Sequence, residues 1–136
     1  MTAAMFDRSV TYLAAYTNRE PSHDPEIVVA LAWLEKNRRA PDEKILVLAT
    51  LLEHARNSTV ISAKLAGLQV VSSEGFRRGY PWSGGPALAL WPNEDVMEQL
   101  DGDERVTALA AVPFDLKSVD AWVRARHPVD LLAMDG

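Results

Sequence analysis

A chain of 136 residues with 48% hydrophobic and 24% charged residues has the size and composition of one domain with a packed core, not of a disordered segment. Its formal net charge of −5 argues against general nucleic-acid binding, which draws its affinity from Lys and Arg neutralising phosphates. It has no cysteine, which excludes disulfides, thiol catalysis and cysteine-ligated zinc or iron–sulfur centres.

Read in chain order, Phe6, Val10, Leu13 and Tyr16 or Thr17 recur at helical spacing and predict a first helix. After NREPSH, Ile27, Ala30, Leu31 and Leu34 predict a second, with Asp24 as its cap and Pro25 in the first helical position. Lys36, Arg38 and Arg39 fall where the helix dipole favours positive charge, and Pro41 ends the element. The period then changes. KILVLAT, residues 44–50, is a short apolar run without polar alternation, the pattern of a strand buried on both faces. Thr50-Leu51-Leu52-Glu53 fits a capping box opening a helix to about Ala66, stopped by Gly67. One face of that helix is small (Ala55, Thr59, Ser62, Ala63, Ala66), which lets it lie close on a sheet. LQVVSS, residues 68–73, reads as a second strand.

A glycine- and proline-rich connection over residues 75–86 leads to PALALWP, residues 86–92, a third strand. Asn93 caps a short helix with Glu94 and Asp95 in its first turn and Val96, Met97 and Leu100 facing inward. LDGDER is a turn, and RVTALAAVPF, residues 105–114, a fourth strand closed by Pro113. Asp115 or Ser118 caps a last helix, with Val119, Trp122 and Val123 inward and Arg124, Arg126 and His127 in its final turn. VDLL, residues 129–132, fits a short fifth strand. Strands alternating with helices predict an α/β fold: a single three-layer Rossmann-like domain over residues 1–136. Its mostly parallel sheet has four or five strands in an alternating part, 44–132, preceded by two N-terminal helices within 1–40. The cadence KILVLAT … PALALWPNEDV … VTALAAVPF … VDAWVRARHPVDLL resembles small uncharacterised α/β proteins of high-GC actinobacteria over about the last two thirds of the chain. The resemblance implies no activity, cofactor or catalytic residue.

The N-terminus, MTAAMFDRSV, lacks the basic and apolar regions of a signal peptide. The most apolar stretch, 45–52, is too short to cross a bilayer, so a soluble, cytoplasmic protein without a membrane partner is expected. Motifs for chemistry are few. SGGP leads into a strand, whereas a phosphate-cradling loop must open a helix. Ser83 follows Trp82 in PWSGG, but a nucleophile elbow needs a preceding strand and a following helix. His23, His54 and His127 lack the i,i+4 pairing of a zinc helix, so no metal is expected. His54 reads as a surface helical residue, and His127 as a complement to the dipole at its helix end. Asp101, Asp103 and Glu104 read as a solvated turn rather than a calcium loop. Trp33, Trp91 and Trp122 read as packing residues. Trp82, among Gly, Pro and Ser, either folds back over the core or stands exposed for a partner.

Position supplies the remaining signal. In an open parallel sheet ligands bind beyond the carboxyl ends of the strands. Those ends are Thr50, Ser72 and Ser73, Asn93, and Asp115, several of them helix caps, and the loop with Arg77, Arg78 and Trp82 starts from the same edge. This rim is the predicted ligand-binding site, with no catalytic residue and no cofactor assigned. The leading expectation is a non-catalytic α/β binding or protein-interaction module that meets a protein partner or itself as a homo-oligomer. The alternative is a degenerate Rossmann-like protein holding a small anion or a nucleotide at the rim. A third reading, nucleic acid held by Arg77, Arg78 and Trp82, runs against the acidic balance.

Overall fold

Runs that are apolar without alternation must be covered on both faces, and that dictates the centre of the molecule. In the computed structural model, which describes Phe6 and residues 9–134, every residue of β2 (Ile45–Ala49) and β4 (Gly85–Leu90) is buried. β5 (Val106–Val112) is buried at all but one position. With β1 (Leu13–Tyr16), β3 (Leu68–Ser72) and β6 (Val129–Asp130) they form one six-stranded sheet in the order β3-β2-β4-β5-β1-β6. Every pairing is parallel.

Successive strand residues point to opposite faces, so each strand feeds two cores. On one face, Ile45, Val47 and Ala49 of β2 and Leu88 and Leu90 of β4 meet Ile27, Ala30, Leu31 and Leu34 of α1 (Asp24–Lys36). Ala55 of α2 (Leu52–Arg56) and Ile61 of α3 (Thr59–Ala63) join them. On the other, Leu46, Leu48, Ala87 and Ala89 meet Phe76 of α4 (Ser73–Arg77), and Val96, Met97 and Leu100 of α5 (Glu94–Asp101). Trp122 of α6 (Asp120–Arg126) completes that side. Ala87, Ala89 and Ala111 leave room beneath the helices, and Trp122 fills it with no solvent exposure. Each fully buried Leu or Ile contributes about 1.5–3 kcal/mol relative to exposure.

The faces follow from the connections. β1 to β2 and β2 to β3 move toward the β3 edge and carry α1, α2 and α3 on the first face. The links out of β3, β4 and β5 run the other way and carry α4, α5 and α6 on the second. A single handedness for all crossovers requires that split. The chain after β2 and the chain after β4, neighbours in the sheet, therefore depart to opposite faces. That divergence is a topological switch point, where open α/β sheets leave a crevice.

Several expectations are corrected. The sheet has six strands, not four or five. The first of the two N-terminal helices is instead β1, and Phe6 sits in a turn; the part of that helix over residues 7 and 8 lies outside the described residues. Ala15 is buried in one core while its neighbours Ala14 and Tyr16 pack against the other, the two-residue alternation of a strand. Pairing with β5 on one side and β6 on the other satisfies the backbone of β1 and overrides the helical spacing. His23 rather than Asp24 caps α1, and its N–H donates to buried Glu26 (2.7 Å). Leu51 takes the cap position assigned to Thr50. The helix expected over 50–66 breaks at Asn57 and Ser58, because the Ser58 hydroxyl accepts from Ile61 N and starts α3. The connection over 75–86 begins with the last turn of α4, opened by Ser72 accepting from Gly75 N. Asp101, expected in a solvated turn, is buried.

Candidate functional site

Trp91 is the first residue beyond β4, and its backbone is left-handed (φ 45°), a conformation that costs a residue with a Cβ about 1–2 kcal/mol. Hydrogen bonds hold it there. Its N–H donates to the Val112 carbonyl at the end of β5 (2.8 Å). Its carbonyl accepts from the Thr50 hydroxyl at the end of β2 (3.0 Å). Its indole N–H donates to the Ser22 carbonyl (2.6 Å). Ser22 is itself fixed, its N–H on the Pro113 carbonyl (2.9 Å) and its buried hydroxyl 2.8 Å from that of Thr17. The ends of three neighbouring strands thus lock one indole at the switch point.

Other rings gather round it. His54 of α2 stands 5.0 Å from the Trp91 ring, Phe114 5.1 Å and His23 5.7 Å, all edge to face. The planes cross at 63°, 71° and 79°, in that order. Two hollows open beside Trp91 and His54. The larger, about 400 Å³, is also lined by Thr50, Pro92, Asn93, Phe114, Asp115 and Ser118. The smaller, about 260 Å³, reaches His23, Asp24 and Ser58. The lining holds carboxylates and imidazoles and neither Lys nor Arg.

The polar groups are mostly engaged. Asn93 Oδ1 accepts from Val96 N (2.9 Å) and Asp115 Oδ1 from Lys117 N (2.9 Å), capping the segments that follow. Asp24 accepts from the hydroxyls of Thr59 (2.7 Å) and Ser58 (2.8 Å). Those bonds hold its carboxyl below the usual range. His54 Nδ1 is buried and has no hydrogen-bond partner among the described residues.

Of the rim residues expected from the sequence, Thr50, Asn93 and Asp115 come together in this crevice. The rest do not line it. Ser72 caps α4. The Ser73 hydroxyl accepts from Gln99 Nε2 (2.7 Å), and Arg77 pairs with Asp95 on the facing α5. Arg78, just past α4, pairs with Glu74 one turn back (2.6 Å), and both are exposed. Trp82 precedes the amino end of β4, on the opposite edge of the sheet. It is 4% exposed, under the Arg105 guanidinium, which lies 5.3 Å from its ring and donates to its carbonyl (2.9 Å). Trp82 thus folds back over the core instead of facing a partner. The sequence reading missed Trp91, His54, His23 and Phe114 as site residues. One signal was present: Trp91 and Phe114 occupy like positions, just past the carboxyl ends of two adjacent buried strands.

Among the described residues no cluster of three or more His, Asp or Glu is placed to hold a metal, and no helix is long and apolar enough to cross a membrane. In comparisons with known proteins, the chain matches no family model, no curated protein and no solved structure.

Proposed function

We propose that this protein is a small-molecule binding module whose ligand occupies the switch-point crevice. The observation that carries the reading is the fixation of Trp91. A left-handed backbone and three hydrogen bonds hold the ring in place before any ligand arrives. Pre-organisation lowers the entropy lost on binding. A hollow of about 400 Å³ lined by rings and a few polar groups is of the kind that takes small molecules, roughly 300–1,000 Å³. The anion or nucleotide reading fits this lining less well. Arg77 and Arg78 pair with carboxylates away from it, and Glu94 and Asp95 occupy the first turn of α5.

Amide and indole chemical shifts of the labelled protein, followed while a fragment library is added, test the proposal. Binding fragments should move Thr50, His54, Asn93, Phe114 and the Trp91 indole together. A library that leaves these signals fixed would remove the crevice as a binding site. A second reading, contact with a protein partner or a second copy, draws on α1, where Val28 and Val29 are 49% and 36% exposed. Light scattering across a concentration series tests the self-association, and a mass fixed at that of one chain rejects it.

A further inference from the structure

Resting on that reading, we infer that the crevice takes an organic cation: a quaternary or N-methylated ammonium group set against the rings of Trp91, Phe114 and His54. The rings of Trp91 and Phe114 carry negative potential on their faces and positive potential at their edges. Trp91, Phe114 and His54 line one hollow, where Trp91 is crossed by Phe114 at 71° and by His54 at 63°. Trp91 and Phe114, both at this hollow, are ring types that attract a methylated cation. Phe114 is 52% exposed at the mouth, an apolar ring left half in water.

The charges point the same way. Asp115 lines the larger hollow and Asp24 the adjoining one, with no Lys or Arg in either lining. An anion would meet these carboxylates with only imidazoles beside them. The hydrogen-bonding state of the lining selects the kind of cation. Asn93 Oδ1 and one oxygen of Asp115 already accept from backbone N–H groups, and Thr50 donates its proton to the Trp91 carbonyl. A primary ammonium needs several free acceptors to replace its water. An N-methylated one needs only apolar contact and a field of the right sign.

The test titrates the full chain with choline and, separately, with its uncharged carbon isostere 3,3-dimethylbutan-1-ol, reading the Trp91 indole and the amides of Phe114 and Asp115. Choline should move these signals, with the isostere roughly three- to thirty-fold weaker. Phe114→Ala, at a half-exposed position where folding is not at stake, should weaken choline and leave the rest of the spectrum in place. Asp115→Asn should weaken choline more than the isostere. Equal binding of the two compounds in the crevice overturns the cation while leaving the crevice as a ligand site. So does a library in which neutral fragments move these signals and choline does not. If nothing in the library moves them, both proposals fall together.

Discussion

Asp101→Asn probes the most buried ion pair among the described residues. Asp101 ends α5 with its side chain 4% exposed, facing Arg126 at 10%. Its carboxylate accepts from Arg126 Nε (2.8 Å) and Nη2 (2.7 Å), and from the Tyr12 hydroxyl. That hydroxyl in turn accepts from the indole of Trp122 (2.8 Å). The carboxamide keeps the shape of the side chain but removes its charge and turns one acceptor into a donor facing groups that donate. Breaking a buried pair from one side costs about 3–5 kcal/mol, a large share of the roughly 5–15 kcal/mol that a domain has. At about 3–5 °C per kcal/mol for this size, Tm should fall by roughly 10–20 °C. Urea unfolding followed by circular dichroism measures the change. Asp120→Asn, which breaks an exposed pair with Arg124, should cost well under about 1 kcal/mol. Asp101→Leu combined with Arg126→Met removes both charges and should be less destabilising than Asp101→Asn alone. If Asp101→Asn unfolds within about 1 kcal/mol of the parent, or the double replacement is the worse of the two, the pair does not carry the weight assigned to it.

Tyr12 is pushed above the ordinary tyrosine range, first by burial and then by its hydrogen bond to Asp101. The folded state therefore holds that proton more tightly than the unfolded chain. The resulting stability is fully present below the ordinary tyrosine pKa and is lost as pH rises past it. An ultraviolet titration of the native protein should show Tyr12 ionising last among the tyrosines, and Tyr12→Phe should remove that late phase. Asp24 shows the opposite sign. Its carboxyl is lowered by the Thr59 and Ser58 hydroxyls, so its contribution is present above the ordinary carboxylate range and lost as pH falls through its folded value. Ser58→Ala with Thr59→Ala should raise the Asp24 pKa, read by carbon NMR, and shift acid unfolding to higher pH. Gly85→Ala should destabilise by about 1–3 kcal/mol in urea. Gly85 has φ +131°, and an added Cβ would lie 2.7 Å from the Glu43 carboxyl carbon. A stability equal to the parent's would show that β4 shifts freely at its start.

The layers were legible in the sequence wherever burial left one solution. ILVLA, GPALAL and the apolar run after Arg105 became β2, β4 and β5, because a run with almost no polar position has to sit in the middle of a sheet. Asn93 was legible as a cap for a related reason, since its amide oxygen answers a local need. The failures came where a distant partner decided the outcome. β1 has too few buried residues to announce itself, and the slot between β5 and β6 makes it a strand. Thr50 has the chemistry of a cap, yet the Trp91 carbonyl just past the neighbouring strand takes its hydroxyl. Asp101 looked like turn decoration because Arg126 and Tyr12 lie 25 and 89 residues away along the chain.

The rim failed in part for the same reason, and its failure indicates where to look for function. Thr50, Asn93 and Asp115 converge because each follows a central strand, and parallel strands bring their carboxyl ends to one edge whatever the side chains are. Arg77 ends α4 and Arg78 follows as its C-cap, beyond the edge strand β3, where Asp95 and Glu74 are close enough to pair with them. Trp82 lies before β4 and not after it, so the same parallel order carries it to the far edge. Trp91 was assigned to packing because an indole beside a strand is usually core. What separates it from Trp122 is its place past the strand end at the divergence of β2 and β4, with a left-handed backbone that packing alone does not require. In a fold of this kind the informative aromatic residue is the one just outside the sheet where the crossovers part, and its strand neighbours, more than its own side chain, mark it.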